Sequence, residues 1–203
     1  MDRQVNVAVL VSGGGTNLQA ILDYALAGKL NSAKIVKVIS NKSGAYALER
    51  AKNGGVVGVV VEKKGKTQKE FESALISELE KCGAEVIVLA GFMCILSKDF
   101  TDKYCDKIIN VHPSLIPSFC GEGFYGLKVH EAALGYGVKV TGATVHFVNE
   151  IPDGGKIIMQ KAVNICTGDT PEVLQKRVME QAEWKILPLS LEKVCKQILQ
   201  DKN

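Results

Sequence analysis

Short apolar runs alternate with helical patterns through the first half of the chain. The apolar runs lack the clean apolar–polar alternation of a strand with one exposed face, which is typical of strands buried on both faces. They cover residues 5–11, 34–40, 56–61, 85–90 and 107–111, and the helical patterns cover residues 18–27, 45–52, 68–81 and 97–103. This order predicts an α/β fold with a doubly wound, mostly parallel sheet.

The pattern changes after residue 111. A short helix is predicted at residues 127–134, and two longer β-rich runs follow at residues 138–148 and 156–163. Four turn residues separate these runs, namely Pro152, Asp153, Gly154 and Gly155. Turn residues between two β-rich runs predict a C-terminal hairpin.

The last part of the chain has a helical pattern over residues 170–200. Pro171 suits a first helical turn, whereas Pro188 predicts a break or a kink. No repeat, low-complexity segment or linker divides the sequence. We therefore expect residues 1–203 to form a single domain, which is an ordinary size for one hydrophobic core.

Charge and hydropathy exclude several classes of protein. The net charge is +3 and no run of five or more basic residues occurs, so an extended nucleic-acid surface is not indicated. The apolar runs are far shorter than the ~20 residues of a membrane helix. The first residues contain no apolar signal core with a cleavage site, and we expect a cytoplasmic protein.

The cysteines and histidines show no metal-ligand spacing. No CxxC pair is present, and His112, His130 and His146 match no ligand pattern, so we predict no metal and reduced thiols. We expect His130 to be solvated beside Lys128 and Glu131. His146 lies between apolar strand residues, which favours a hydrogen-bonded structural histidine.

A glycine loop, residues 12–17 (SGGGTN), joins the first strand to the first helix. Glycines allow a close approach of the backbone to a ligand, and free amides at a helix start attract anions, so the loop predicts a phosphate site. It has neither the GxGxxG spacing nor the Walker lysine. A structural tight turn is the alternative, in which Thr16 or Asn17 caps the helix.

Asn110 and His112 lie two residues apart at the end of the fifth strand, so their side chains share one face of the sheet. An amide donor and an imidazole suit acyl transfer, which needs an oxyanion donor and a group that moves protons. Asp153 is ordinary turn chemistry before glycine. If its turn folds over His112, its carboxylate would raise the pKa of that imidazole.

Six segments resemble the glycinamide ribonucleotide formyltransferases of purine biosynthesis, in order and over nearly the whole chain. They are SGGGTNLQAI, SNKSGAYALERA, VLAGFMCILS, INVHPSLIPSF, TGATVHFVNEIPDGG and GDTPEVLQKRVMEQAE. HPSLIP with a later DGG turn marks the wider group of 10-formyltetrahydrofolate enzymes. The resemblance implies a Rossmann-like formyltransferase fold that spans residues 1–203.

The resemblance also implies the site residues. Asn110, His112 and Asp153 would be catalytic, and the phosphoribosyl amine would be held by Gly15, Thr16, Asn17 and Glu183. The 10-formyltetrahydrofolate co-substrate would contact Asn110, Asp153 and the residues Met93, Cys94, Ile95, Leu96, Asn149, Glu150, Ile151 and Pro152. A monomer or a homodimer is expected, acting on these two small molecules.

Four departures from the family pattern stand out. Cys94 replaces a common arginine, Gln68 stands where a basic residue is common, and residues 119–126 lengthen the usual loop. The stretch EQAEWK has one extra residue near Glu183. Other readings remain open: a formyltetrahydrofolate hydrolase, a relative of methionyl-tRNA formyltransferase, or a Rossmann-like nucleotide-binding module without catalysis.

Overall fold

The computed structural model describes residues 3–201. Seven strands form one sheet, and they are β1 Val5–Val11, β2 Ala33–Ser40, β3 Gly58–Val60, β4 Val86–Leu89, β5 Ile108–His112, β6 Val140–Phe147 and β7 Ile157–Asn164. Their spatial order is β3-β2-β1-β4-β5-β6-β7. The first five strands are parallel, and β6 and β7 are antiparallel, which forms the predicted hairpin.

The helices are α1 Thr16–Leu26, α2 Ala47–Asn53, α3 Gln68–Lys81, α4 Lys98–Lys103, α5 Leu127–Tyr136, α6 Pro171–Val178 and α7 Trp184–Gln200. The predicted doubly wound sheet is confirmed, and most predicted boundaries differ from these by only a few residues. Helix α3 begins where the pattern placed it because Thr67 and Glu70 form a capping box, each side chain bonding to the backbone of the other residue.

The core consists of two apolar layers, one on each face of the sheet. Helices α1, α2, α6 and α7 pack with residues such as Val7, Val9 and Val11 of β1. Helices α3 and α4 pack on the opposite face against Ala8 and Leu10. Strand β1 is buried on both faces, which explains its unbroken apolar run.

The order in which strands are added to the sheet reverses between β1 and β4, which are parallel neighbours at its centre. In open α/β sheets, ligands bind where the loops after such a pair of strands diverge. The glycine loop follows β1, residues 90–97 follow β4, and residues 113–126 follow β5. The topology therefore places the three candidate segments at the carboxyl ends of the parallel strands, which form one edge of the sheet.

No helix break occurs at Pro188, where the sequence predicted a break or a kink. Pro188 lies inside α7, and the helix continues to Gln200. The irregularity lies upstream, where Met179–Glu183 forms a π-helical turn between α6 and α7. A π-helical turn accommodates an extra residue within a continuous helix. Within residues 3–201, no helix is long and apolar enough to span a bilayer.

Candidate active site

Strand β5 presents two polar side chains on the face that α3 and α4 cover. Ile108 packs in the layer beneath those helices, so alternate residues Asn110 and His112 point to the same side. His112 is only 4% exposed. Ile109 and Val111 pack in the opposite layer, so the prediction that Asn110 and His112 share a face is confirmed.

Asp153 meets His112 in space, although the two lie 41 positions apart in the sequence. The Asp153 Oδ2 atom lies 3.3 Å from His112 Nδ1 and accepts a hydrogen bond of 2.9 Å from the Gly121 amide. Asp153 has a left-handed backbone, with φ 56°. The turn packs closely against the sheet, because a Cβ atom at Gly155 would overlap the Phe147 carbonyl.

His146 belongs to the same cluster. It lies opposite Asn110 in the register of β5 and β6, and its Nε2 atom is 3.2 Å from Asn110 Nδ2 and 3.5 Å from Asp153 Oδ1. Its Nδ1 atom donates to the Phe147 carbonyl at 2.7 Å. His146 is hydrogen-bonded as predicted, but its partners include two predicted catalytic residues, which the sequence pattern does not reveal. We call Asn110, His112, His146 and Asp153 the reaction centre.

The pKa values of His112 and Asp153 are both lowered from their ordinary values. Burial lowers the pKa of His112 and outweighs Asp153 and the Phe119 carbonyl, which both raise it. Burial raises the pKa of Asp153, but the contact with His146, the charge of His112 and the Gly121 amide outweigh it and lower that pKa. Asp153 thus pushes the His112 pKa upward as predicted, while the net shift of His112 is downward.

The prediction that His130 is solvated was wrong. His130 is fully buried on α5, and neither ring nitrogen has a hydrogen-bond partner among the described residues. Burial, followed by the nearby His112, lowers the pKa of His130 to about 4. The polar residues Lys128 and Glu131 near it in the sequence suggested exposure. Packing, however, decides which face of a helix is buried.

The insertion loop, residues 119–126, lies against the reaction centre. The His112 Nε2 atom is 2.8 Å from the Phe119 carbonyl, and the Phe119 ring packs edge-on against Phe124 and Tyr136. Phe119 has a left-handed backbone with φ 49°. The loop therefore contacts both His112 and, through Gly121, Asp153.

A slot of about 140 Å³ opens beside Asn110, His146 and Asp153. Its other lining residues are Leu89, Phe92, Cys94, Ile95, Leu96, Val148, Asn149, Glu150, Ile151 and Pro152. All predicted folate contacts except Met93 are among them. The Met93 side chain is 55% exposed and does not line the slot. Sequence reasoning missed Leu89, Phe92 and Val148, which read as ordinary core residues.

Two departures from the family pattern stabilise the loop that forms this slot. Asn41 donates a hydrogen bond of 3.0 Å to the Cys94 sulfur. Gln68 donates to the Ile95 carbonyl at 3.0 Å and to Glu72 at 2.6 Å. Gln68 therefore ties α3 to the slot.

The glycine loop lies next to the slot. The Met93 amide donates to Ser12 Oγ at 2.9 Å, which joins the loops after β1 and β4. Gly15 has φ 72°, and a Cβ atom there would lie 2.6 Å from the Ala47 Cβ atom, so only glycine fits. No side chain of the described residues caps α1. This leaves the first amides of that helix free to bind an anion.

Asn17 and Glu183 meet although they lie 166 positions apart. Asn17 Nδ2 donates to Glu183 Oε2 at 2.8 Å, whereas Asn17 Oδ1 has no partner among the described residues. Burial raises the pKa of Glu183, and the bond from Asn17 opposes this shift. Glu183 is the last residue of the π-helical turn. The contact with Asn17 is therefore made from the irregular turn between α6 and α7.

Three lysines and one carboxylate, Glu62, line a cavity beside the glycine loop. This cavity of about 830 Å³ is lined by Gly13 and Gly14 together with Lys42, Lys63 and Lys64. Arg50 braces the loop through a hydrogen bond of 2.8 Å from its Nε atom to the Gly14 carbonyl. Thr16 lines a neighbouring groove with Arg50 and Trp184. The three lysines were not predicted, because no motif connects them to the loop.

A further cavity lies away from the candidate site. This cavity of about 850 Å³ lies at the opposite end of β5, between Lys107 and α7, and it contains none of the predicted site residues.

Among residues 3–201, no group of three or more His, Cys, Asp or Glu side chains could hold a metal ion. The described cysteines form no disulfide.

Fold and site together define an α/β enzyme with an amide, two imidazoles and a carboxylate beside an anion-binding loop. A family model described as formyl transferase matches residues 5–191, and the chain belongs to this family. All four residues of the reaction centre lie within the matched range.

Two named relatives match most of this chain. The phosphoribosylglycinamide formyltransferase of Haemophilus influenzae is 42% identical over 184 residues, which cover 90% of this chain and 84% of that protein. The human trifunctional purine biosynthetic protein adenosine-3 is 45% identical over 194 residues. This chain spans only 18% of the length of that trifunctional relative.

Solved structures agree with the fold. The glycinamide ribonucleotide transformylase 1 of Symbiobacterium toebii superimposes with a TM-score of 0.89 at 37% sequence identity. The match covers 96% of this chain and 89% of that one. The expected Rossmann-like formyltransferase fold is therefore confirmed.

Proposed function

We propose that the protein transfers the formyl group of 10-formyltetrahydrofolate to the amine of glycinamide ribonucleotide, a step of purine biosynthesis. The observation that carries this proposal is the meeting of Asn110, His112 and Asp153 beside a slot that adjoins the glycine loop, with Asn110 and Asp153 lining the slot. The names of the relatives support the same reaction.

The slot suits one end of a folate. Its volume is far below the ~300–1,000 Å³ of sites that enclose a whole drug-sized ligand, so it can enclose a ring system while the rest of the molecule lies outside. Apolar side chains such as Leu89, Phe92 and Val148 line it. The polar atoms of Asn110 and Asp153 stand at its end, where the formyl group would be presented.

The glycine loop suits the phosphoribosyl amine. Free first-turn amides of α1 and the cations Lys42, Lys63 and Lys64 would hold the phosphate. Asn17 Oδ1 and Glu183 have unused hydrogen-bonding capacity for sugar hydroxyls. Together they would place the amine beside the reaction centre.

In the proposed reaction, the neutral amine attacks the formyl carbon and the carbonyl electrons move onto oxygen. Asn110 donates to that oxyanion, and the protonated ring of His112 stabilises it. Developing negative charge raises the His112 pKa, which offsets the effect of burial, and Asp153 balances the ring's charge. The carbon–nitrogen bond to the folate then breaks, and a proton passes from the substrate amine to the folate nitrogen through a water that Asp153 helps to order.

A transfer assay tests this proposal. Protein is mixed with 10-formyltetrahydrofolate carrying a ¹³C label in the formyl group, with and without glycinamide ribonucleotide. We expect the label in the amide of the product, and tetrahydrofolate release only when the amine is present. Release of labelled formate with water alone would instead indicate the hydrolase, and no turnover with either acceptor would indicate a binding module.

A further inference from the structure

Both ring nitrogens of His112 face an acceptor. Nε2 lies 2.8 Å from the Phe119 carbonyl oxygen, and Nδ1 lies 3.3 Å from Asp153 Oδ2. A main-chain carbonyl can only accept a hydrogen bond, so Nε2 must carry a hydrogen for this contact to be favourable. The ring is buried, and two lone pairs facing each other at 2.8 Å would be strongly unfavourable. The 3.3 Å contact of Nδ1 is longer than an ordinary N–H···O hydrogen bond of ~2.7–3.2 Å, so it does not require a hydrogen on Nδ1.

The carbonyl of Phe119 is anchored on both sides along the chain. On one side, Ser114 Oγ donates to the Ser118 carbonyl at 2.5 Å. On the other side, the Gly121 amide donates to Asp153. Phe119 and Gly121 both have positive φ angles, 49° and 87°, which turn the backbone toward the ring of His112.

The other nitrogen, Nδ1, is on the side of the slot. Its neighbour Asp153 lines the slot together with Asn110, whereas the Nε2 atom is covered by the loop. The two nitrogens therefore differ: Nε2 is held by a fixed acceptor of the protein, and Nδ1 faces Asp153, which lines the slot where the formyl group would lie.

We propose that the Phe119 main-chain carbonyl is a positioning group that holds neutral His112 in the tautomer with its hydrogen on Nε2. Nδ1 is then the nitrogen that takes up a proton from solvent to form the imidazolium, balanced by Asp153, and that donates to the oxyanion without losing the proton. The role of that donor rests on the proposed function, whereas the tautomer is a property of the free protein.

Nitrogen NMR of the free protein with ¹⁵N-labelled histidine measures the tautomer directly. At a pH where the ring is neutral, we expect the His112 Nε2 atom to show a protonated-type shift and Nδ1 an unprotonated-type shift. His112→Gln, which lacks these signals, assigns them. A protonated-type shift at Nδ1 of the neutral ring would overturn the proposal, whatever the outcome of the transfer assay.

A matched pair of loop variants tests whether the loop sets the tautomer. Gly121→Pro and Gly123→Pro both replace a glycine with φ 87° and remove one amide hydrogen, but only the Gly121 amide donates to Asp153. We expect a mixture of tautomers in Gly121→Pro and the parent tautomer in Gly123→Pro. An unchanged tautomer in Gly121→Pro, or the same mixture in both variants, would show that the turn from Phe119 to Gly121 does not position His112.

Discussion

The reaction centre and the glycine loop lie along the same edge of the sheet but differ in how their polar groups are paired. In the reaction centre, Asn110, His112 and Asp153 all have partners within the protein. At the glycine loop, none of residues 3–201 supplies a side-chain cap for the first amides of α1, and Asn17 uses only one end of its amide within that range.

This difference separates two requirements. Groups that act on a transition state work best when they are held in place beforehand, because no reorganisation is then needed during the reaction. Groups that bind a charged substrate need free hydrogen-bonding capacity, which the substrate itself completes. Variants in the two regions should therefore change different kinetic constants.

The largest effect is expected from His112→Ala. Loss of the imidazole should lower kcat by about 10³-fold or more, since it removes both an oxyanion donor and a proton-moving group. Steady-state kinetics measure the loss, and circular dichroism checks that the fold is retained. Lys128→Ala, an exposed change on α5, is the control that keeps the parent rate. Near-parent turnover in His112→Ala would remove the imidazole from the mechanism.

Asp153→Asn should have the next largest effect. The change keeps the side-chain shape and an acceptor for the Gly121 amide, but it removes the charge that balances the His112 imidazolium, so we expect kcat to fall about 10²-fold. Asp106→Asn is a matched control, because Asp106 also has a left-handed backbone, with φ 55°, away from the site. Equal rates in the two variants would contradict a catalytic charge at Asp153.

His130→Leu should sharpen the comparison at acid pH, because His130 is buried near the reaction centre and its ring nitrogens have no hydrogen-bond partner in the part of the chain that the structure describes. An unfolded histidine has a pKa of about 6.5, whereas that of folded His130 is about 4. The unfolded state therefore binds the proton first, and stability is lost as the pH falls from about 6.5 to about 4.

Urea unfolding at several pH values measures this effect. His130→Leu should remove roughly 2 kcal/mol of the loss between pH 7.5 and pH 5, while changing stability little at pH 7.5. Glu131→Gln, an exposed neighbour on α5, should retain the parent pH dependence. A His130→Leu profile parallel to the parent would show that this ring does not titrate on unfolding.

The smallest effect is expected from Glu183→Gln in the binding region. The amide can still accept from Asn17 but loses an acceptor for a sugar hydroxyl, so we expect KM for the phosphoribosyl amine to rise about tenfold with kcat nearly unchanged. Glu180→Gln, an exposed change in the same π-helical turn, should leave both constants unaltered. A fall in kcat at constant KM would place Glu183 with the reaction centre instead.

The amino-acid sequence by itself determined the architecture and the placement of Asn110 and His112 on one strand face. The buried runs and helical patterns predicted a doubly wound sheet, and the alternation of strand residues placed Asn110 and His112 on one face. These features are local, since they depend on side-chain periodicity and on glycine at positions such as Gly15 that no other residue can occupy.

Only the tertiary structure decided which distant residues meet. The pairing of β5 with β6 brought His146 onto Asn110, the hairpin turn placed Asp153 on His112, and Glu183 of the π-helical turn met Asn17. Packing also buried His130, which its polar neighbours had suggested was exposed. Contacts of this kind arise from strand register and helix packing across the whole chain, and no local pattern encodes them.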